Sequence, residues 1–247
     1  MATVVPFVLV IPGARLEIPQ PNGNRVDALL TTALNCVVDA AIALGHFIDC
    51  REAHCGTMFA LMGRQDQTNQ IVENEWRARG RAPTTREEFD LIAIEADRRR
   101  LAKYCDEHIY PYTYSLLAPM VHAKSFVIAL DTMRSCIGRI RHRAAKKAIP
   151  ALDLALPGLN AVRDSILHVE QRVLRETDAD AISAEDPLEI CNVSGDELQY
   201  TVKGGGRGRG SIPINTASMA NVVSIVQVLL DELPWSGSPT VFPVPWP

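Results

Sequence analysis

The segment from Arg25 to His46 constrains the fold of this chain more than any other. Its apolar residues recur at helical spacing on several faces rather than on one, and Asn24 can cap its start. A helix that is apolar nearly all round has to be enclosed by other elements. The sequence therefore predicts a central, buried helix in a mainly α protein.

The polar segment from Arg64 to Ala82 is expected to be a helix followed by a loop. Two further helices are predicted after it. One begins at an N-cap, Thr84 or Thr85, has acidic residues in its first turn, and runs to about His108. The other runs from about Ser115 to about Lys147, with Pro119 as a candidate kink. Its residues at core-facing helical spacing are Phe126, Leu130, Met133 and Ile137.

The hydrophobic period changes in the last quarter of the chain. Residues 188–193 and 198–202 alternate as strands and are joined by a turn at 194–196, which predicts a hairpin, and 211–214 is a short third strand. A last helix starts at Asn215 or Thr216 and ends near Leu233. The expected fold class is mainly α: a helical bundle of four to six helices with a small antiparallel β hairpin or sheet near the C-terminus and a final helix.

Prolines suggest where the domain begins and ends. Pro6 interrupts a β-like run, so residues 1–24 are expected to form an N-terminal extended arm. Residues 25–233 are expected to form a single helical domain with a β insertion at about 187–214. Residues 234–247 form a Pro-rich tail.

A helix is predicted across about 158–175, with Pro157 and Gly158 as its start signal. It has an apolar stripe on one side and several charged residues and a histidine on the other. Apolar residues spaced three and four apart allow one face to be buried. The stripe holds Leu159, Val162, Ile166, Val169 and Val173; the polar face holds Asp164, His168, Arg172 and Arg175, and Arg163 flanks the stripe.

The run from Arg163 to His168, an arginine and then a histidine after four intervening residues, resembles the signature of the HEPN superfamily of helical domains. The resemblance rests on this short motif, the helical pattern before it and the β-like runs after it. Many HEPN members are metal-independent ribonucleases, often in toxin or antiviral systems, and others are not catalytic. The resemblance implies an endoribonuclease without a cofactor, with His168 as general acid or base and Arg163 as the phosphate ligand.

The residue types in this motif suit RNA cleavage. Histidine can transfer protons near neutral pH, and arginine binds phosphate through a planar fork of donors. Asp164 lies one turn before His168 and can orient the imidazole by accepting a hydrogen bond. Arg163 and His168 lie about 140° apart around an ideal helix, so they converge poorly within one chain. The family usually solves this by pairing two such helices, so the resemblance implies a homodimer or a second helical domain in the same chain. No second Arg-x4-His run is evident in the sequence, and a homodimer is therefore expected.

A cluster of cations is the second candidate site. Six arginines and lysines fall within residues 134–147 of a chain whose net charge is −4, which indicates local contact with an RNA backbone. The alternative is structural, because cations near a helix C-terminus complement its dipole. The candidate RNA-binding residues in this cluster are Arg139, Arg141, Arg143, Lys146 and Lys147. Further candidates are Arg172 on the motif helix and Arg207 and Arg209 in the glycine-rich loop 204–210.

Charge and cysteine content narrow the class of protein. The net negative charge gives no general attraction to nucleic acid, so any contact has to be local. Six cysteines without framework spacing are expected to be reduced thiols of a cytoplasmic protein. Neither a signal peptide nor a membrane span is expected, because the apolar N-terminus lacks a basic region and the chain has no window of about 18 uninterrupted apolar residues.

His46, Cys50 and His54 are spaced four residues apart, which would place zinc-binding residue types on one helix face. No Cys-x2-Cys pair accompanies them, and cysteine is often simply buried. We therefore expect no metal site.

The competing hypothesis is a non-catalytic helical binding or scaffold module, one partner protein of a two-gene system. Asp164 and His168 would then be a surface pair of little energetic value. The nucleic-acid hypothesis gains if Arg163 and His168 face a cleft beside residues 134–147, and loses if they face open solvent far from it.

Overall fold

The computed structural model describes residues 5–19, 22–80, 82–106, 112–167, 191–201 and 209–243. In parts of these ranges, such as 53–66, it describes the backbone alone.

Helices dominate the described chain. They are α1 (Asn22–Ala78), α2 (Arg86–Asp106), α3 (Tyr112–Gly138), α4 (Arg143–Ala155), α5 (Leu159–Leu167) and α6 (Thr216–Glu232). The strands are β1 (Leu9–Ile11), β2 (Arg15–Leu16), β3 (Cys191–Ser194), β4 (Glu197–Thr201), β5 (Arg209–Pro213), β6 (Trp235–Ser236) and β7 (Thr240–Phe242). The predicted fold class, a mainly α protein with small antiparallel sheets near the C-terminus and a final helix, is confirmed.

The first helix is much longer than predicted. α1 spans 57 residues, whereas the sequence indicated an end near His46. No proline interrupts residues 22–78, and the polar second half is rich in Glu, Gln and Arg, which favour helix. Hydrophobic periodicity marks only the first half, so the sequence predicted a helical segment after Arg64 but not that it continues the first helix without a break.

Part of α1, Gly23–Glu52, is long and apolar enough to cross a membrane. Its most apolar window is 56% buried within the fold. The core helix of a folded domain has the same length and composition, so this property is weak evidence for a membrane span.

The Cα positions separate into two compact units: one holds Met1–Phe47 and Met120–Pro247, and the other holds Ile48–Pro119. In the first unit, which we call the larger unit, α1 and α3 supply many of the largest fully buried side chains. α1 contributes Leu44 and Phe47, and α3 contributes Phe126, Leu130, Met133 and Ile137. The predicted core-facing residues of α3 are therefore confirmed.

The two ends of the chain form an antiparallel ribbon in the larger unit. β1 pairs with β7 and β2 with β6, so that Leu9 opposes Phe242 and Leu16 opposes Trp235. Leu16 follows Leu9 by seven positions, and Phe242 follows Trp235 by seven positions, so the two pairings continue one register. The Glu17 N–H donates to the Pro234 carbonyl at 2.8 Å and extends the ribbon. We call residues 9–17 and 234–242 the terminal ribbon.

Side chains and prolines close both edges of this ribbon. The amide of Gln227 on α6 accepts from the Val10 N–H at 2.8 Å and donates to the Val10 carbonyl at 2.9 Å, as a neighbouring strand would. Since Val10 bonds away from β7, its partner Val241 must turn its own N–H and C=O to the outer edge. Pro239 and Pro243, two residues to either side, have no N–H to offer there, which protects the edge from further pairing.

The third sheet has the order β3–β4–β5 and is antiparallel throughout. Ser194 opposes Glu197, so the hairpin turns at Gly195 and Asp196, with Gly195 at a φ of 59°. This confirms the predicted turn at 194–196. Leu198 and Ile212 oppose each other and are fully buried, and α5 lies against β4 and β5.

The smaller unit, Ile48–Pro119, has its own apolar cluster. Val72 of α1 and Ile92 and Ala96 of α2 are buried together, with Trp76 packed against them. α2 begins with a reciprocal cap: the Thr85 hydroxyl accepts from the Glu88 N–H at 3.3 Å, and the Glu88 carboxylate accepts from the Thr85 N–H at 3.1 Å. This confirms the predicted start of that helix.

Candidate nucleic-acid interface

The chain turns sharply in the middle of the cation cluster. The prediction of one helix from Ser115 to Lys147 is wrong, because α3 ends at Gly138 and α4 begins at Arg143. The N–H groups of Arg139 and Ile140 bond back to carbonyls three residues earlier, at 3.1 and 3.0 Å, which tightens the last turn of α3. Ile140 is buried, so it anchors a turn that exposes Arg139 and Arg141 on either side of it.

His142 starts the next helix. Its backbone is extended, and its Nδ1 accepts a hydrogen bond from the Ala144 N–H at 3.2 Å. The side chain therefore satisfies one of the open N–H groups in the first turn of α4. Aspartate or asparagine usually takes this position, so histidine gave no cap signal in the sequence.

The position of α4 places three of the cations at the start of a helix rather than at its end. Arg143 and Lys146 lie in its first turn, which contains no acidic residue, and Lys147 follows. The structural alternative from the sequence placed these charges at a helix C-terminus, where they would be favourable, and this is wrong for all three. At a helix N-terminus, cations oppose the dipole at a cost of about 0.3–1 kcal/mol each when exposed.

Two of the six cations are engaged in ion pairs. The Arg134 guanidinium binds the Asp153 carboxylate through two bonds of 2.5 and 3.0 Å, and Lys147 Nζ contacts both Glu232 oxygens at 2.9 Å. The hydrogen bond to Asp153 raises the pKa of Arg134, and the same bond lowers the pKa of Asp153. These pairs tie α4 to α3 and to α6.

The other four cations remain available to a ligand. Within the described residues, none of them has an ion pair, and all are exposed. We call this set the basic cluster: Arg139, Arg141, Arg143 and Lys146.

Arg163 lies beside a carboxylate of α3. Its Nε lies 3.7 Å from Oδ2 of Asp131 on α3, and its side chain is 35% exposed against 10% for that of Asp131. Asp131 also raises the pKa of Arg134, one turn further along α3. Charges of alternating sign from Arg163, Asp131, Arg134 and Asp153 thus connect α5, α3 and α4.

Several predicted site residues lie outside what the structure describes. Residues 168–175, with His168 and Arg172, and residue Arg207 are among them. Asp164 lies in α5 and Arg209 begins β5, but their side chains are not described. The described part of the motif helix agrees with its apolar stripe, because Leu159 and Val162 are buried. Whether Arg163 and His168 share a cleft stays a prediction.

The structure describes two of the three side chains in the series His46, Cys50 and His54. His46 is exposed and stacks on His122 of α3, with ring centroids 5.1 Å apart. Burial, and to a lesser extent His46, lowers the pKa of His122, and burial raises the pKa of the Cys50 thiol. Among the side chains that the structure describes, no three potential metal ligands lie together, and the side chain of His54 is not among those described.

Comparison with known proteins assigns no family to this chain. No family model matches it, and neither the curated proteins nor the solved structures contain a significant match. The function therefore has to be argued from the geometry of the described residues.

Proposed function

We propose that this protein is a helical RNA-binding protein whose basic cluster, at the α3–α4 turn, contacts backbone phosphates. The observation that carries the proposal is a set of four exposed cations that have no ion pair among the residues that the structure describes, in a chain of net charge −4. Arg139 and Arg141 are fixed on either side of the buried Ile140, and Arg143 and Lys146 follow on α4.

Helix energetics support a ligand at this position. Arg143 and Lys146 oppose the α4 dipole, so they reduce stability in the absence of an anion. A phosphate reverses the sign of this interaction, since it is attracted both to the cations and to the open N–H groups of the helix start. Unfavourable charges at this turn are more simply explained by binding than by folding.

The test is the salt dependence of RNA binding. Each phosphate neutralised by a cation contributes about −0.7 to the slope of log K against log salt for a single strand. Replacement of Arg139, Arg141 and Arg143 together by Gln should weaken binding and flatten the slope by about 2. Fluorescence anisotropy with a short single-stranded RNA of mixed sequence measures both quantities.

A matched variant controls for net charge. Arg25, Arg86 and Arg98 are also exposed and have no ion pair within the described ranges. Their replacement by Gln removes the same charge elsewhere and should leave the slope nearly unchanged. Equal loss of affinity in both triple variants would mean that only the overall charge matters, and absence of binding to the parent at low salt would end the proposal.

The endoribonuclease form of the proposal rests on the residues Arg163 to His168 alone. The ion pair between Arg163 and Asp131 favours the non-catalytic alternative, because it gives Arg163 a structural contact within the fold. RNA binding by the basic cluster is compatible with either form.

A further inference from the structure

α6 exposes a face without charge. Between Thr216 and Leu230 the helix contains no Asp, Glu, Lys or Arg, although 22% of the chain is charged. The exposed residues of this stretch recur at helical spacing and are uncharged: Thr216, Ala217, Ala220, Asn221, Ser224 and Val228. The solvent face of a surface helix is normally charged or strongly polar.

The elements on either side continue this face. α4 packs against α6, and a cleft of about 180 Å³ runs between them. Alanine, valine, leucine and isoleucine side chains form most of its lining, and the Lys147–Glu232 ion pair and Ser224 complete it. Leu154 near the end of α4 is 84% exposed, and Val228 is 55% exposed. On the other side of α6 lies Val10 of the terminal ribbon, also exposed. Exposed apolar side chains grouped on neighbouring elements typically mark an interface.

We propose that a second copy of this chain covers this face, with α6 packed antiparallel to α6 of its partner about a two-fold axis near Ser224. Ser224 lies midway between Ala217 and Asp231, so the axis would set the start of one helix against the end of the other. An isologous interface brings identical residues together at the axis, where charges of one sign would repel each other. The absence of charge at the centre of α6 fits this requirement.

Charge complementarity supports the antiparallel direction. Asp231 is exposed at the C-terminal end of α6, next to Glu232, which is paired with Lys147, and the start of the helix contains Thr216 and Ala217 without any acidic residue. Pairing would place the acidic end of each helix beside the N-terminus of the other, whose dipole is positive. The small side chains of Ala217, Ala220 and Ser224 permit close approach along a helix about 25 Å long.

The experiment uses charge at the proposed axis. Ser224→Arg and Ser224→Glu should each convert the full-length parent from dimer to monomer, measured by sedimentation equilibrium at micromolar concentration. An equimolar mixture of the two variants should regain the dimer mass, because opposite charges then meet across the axis. Ser135→Arg and Ser135→Glu, at an exposed serine of α3, are the matched controls and should leave the dimer intact.

Each alternative result overturns the inference. A monomeric parent would show that no second copy covers the face, and persistence of the dimer in both Ser224 variants would place the interface elsewhere. Two monomeric variants that fail to combine would exclude a two-fold axis at this residue. Circular dichroism of each variant distinguishes loss of association from loss of folding, and the mixture provides the test even if one single variant is destabilised. RNA binding plays no part in this experiment.

Discussion

At the scale of single residues, Arg163 separates a structural from a catalytic interpretation of the motif helix. Its guanidinium lies within ion-pair distance of the mostly buried Asp131, so removal of the cation leaves a carboxylate in a poorly solvated position. Removal of a catalytic residue that contacts only the ligand would not lower the stability of the fold in this way. The two roles therefore differ in their effect on stability as well as on activity.

Arg163→Ala should lower the free energy of unfolding by about 1–3 kcal/mol. Breaking a fully buried pair costs about 3–5 kcal/mol, and the partial exposure of Arg163 reduces this value. Urea denaturation followed by circular dichroism measures the change. Arg139→Ala removes the same side chain at an exposed position without an ion pair among the described residues, and should change stability by less than about 0.5 kcal/mol. Equal stability of the parent and Arg163→Ala would contradict the structural role.

His168 decides the endoribonuclease form of the proposal. If the protein cleaves RNA through this histidine, His168→Ala should reduce the rate by about 10²–10⁴-fold, as expected for a general acid or base. The assay uses RNA of mixed sequence in the presence of EDTA, because the motif implies chemistry without a metal ion. Equal cleavage by the parent and by His168→Ala would be due to a contaminant. RNA binding without cleavage would support the non-catalytic alternative.

At the scale of elements, α4 is the part on which the candidate interface depends. It is attached to α3 through Arg134 and Asp153, to α6 through Lys147 and Glu232, and its start is capped by His142. These contacts fix the direction in which the basic cluster faces. Loosening of α4 should therefore affect the cluster without removing any of its charges.

The attachment of α4 to α3 should depend on pH. The hydrogen bond from Arg134 lowers the pKa of Asp153 in the folded protein, so the pair contributes stability above the unfolded value of about 4 and loses it as the pH falls through the folded pKa. The difference in unfolding free energy between the parent and Asp153→Asn should be largest above about pH 5 and shrink toward zero in strong acid. Urea titrations across this range measure it.

Asp90→Asn is the matched control for this prediction. Asp90 is exposed on α2 and has no ion pair within the described residues. The difference in unfolding free energy between the parent and Asp90→Asn should not shrink in the same way at low pH. A constant difference between the parent and Asp153→Asn across the acidic range would show that the pair with Arg134 does not form in solution.

At the scale of the whole molecule, local patterns predicted more than long-range pairings. The helical spacing of Phe126, Leu130, Met133 and Ile137 identified buried residues of α3, and the turn at 194–196 identified the hairpin, because both signals lie within a few residues. The fold class followed from such signals.

Features that depend on distant partners were not predictable in the same way. The terminal ribbon joins Leu9 to Phe242, and nothing in either segment alone encodes the other. The end of α3 was missed because Arg139, Ile140 and Arg141 are acceptable in a helix, and only Gly138 indicated a break. The pairing of Arg163 was missed for a similar reason, since Asp131 lies on another helix.

The central claim is that the basic cluster binds RNA phosphates, and side-chain NMR tests it most directly. The Nε–Hε resonances of Arg139, Arg141 and Arg143 should shift in a saturable manner on addition of single-stranded RNA, with assignments from the single Arg→Gln variants. The resonance of Arg134 serves as an internal control, because its guanidinium is held by Asp153, and it should remain nearly fixed. Saturable shifts at arginines elsewhere, with Arg139, Arg141 and Arg143 unchanged, would contradict the account.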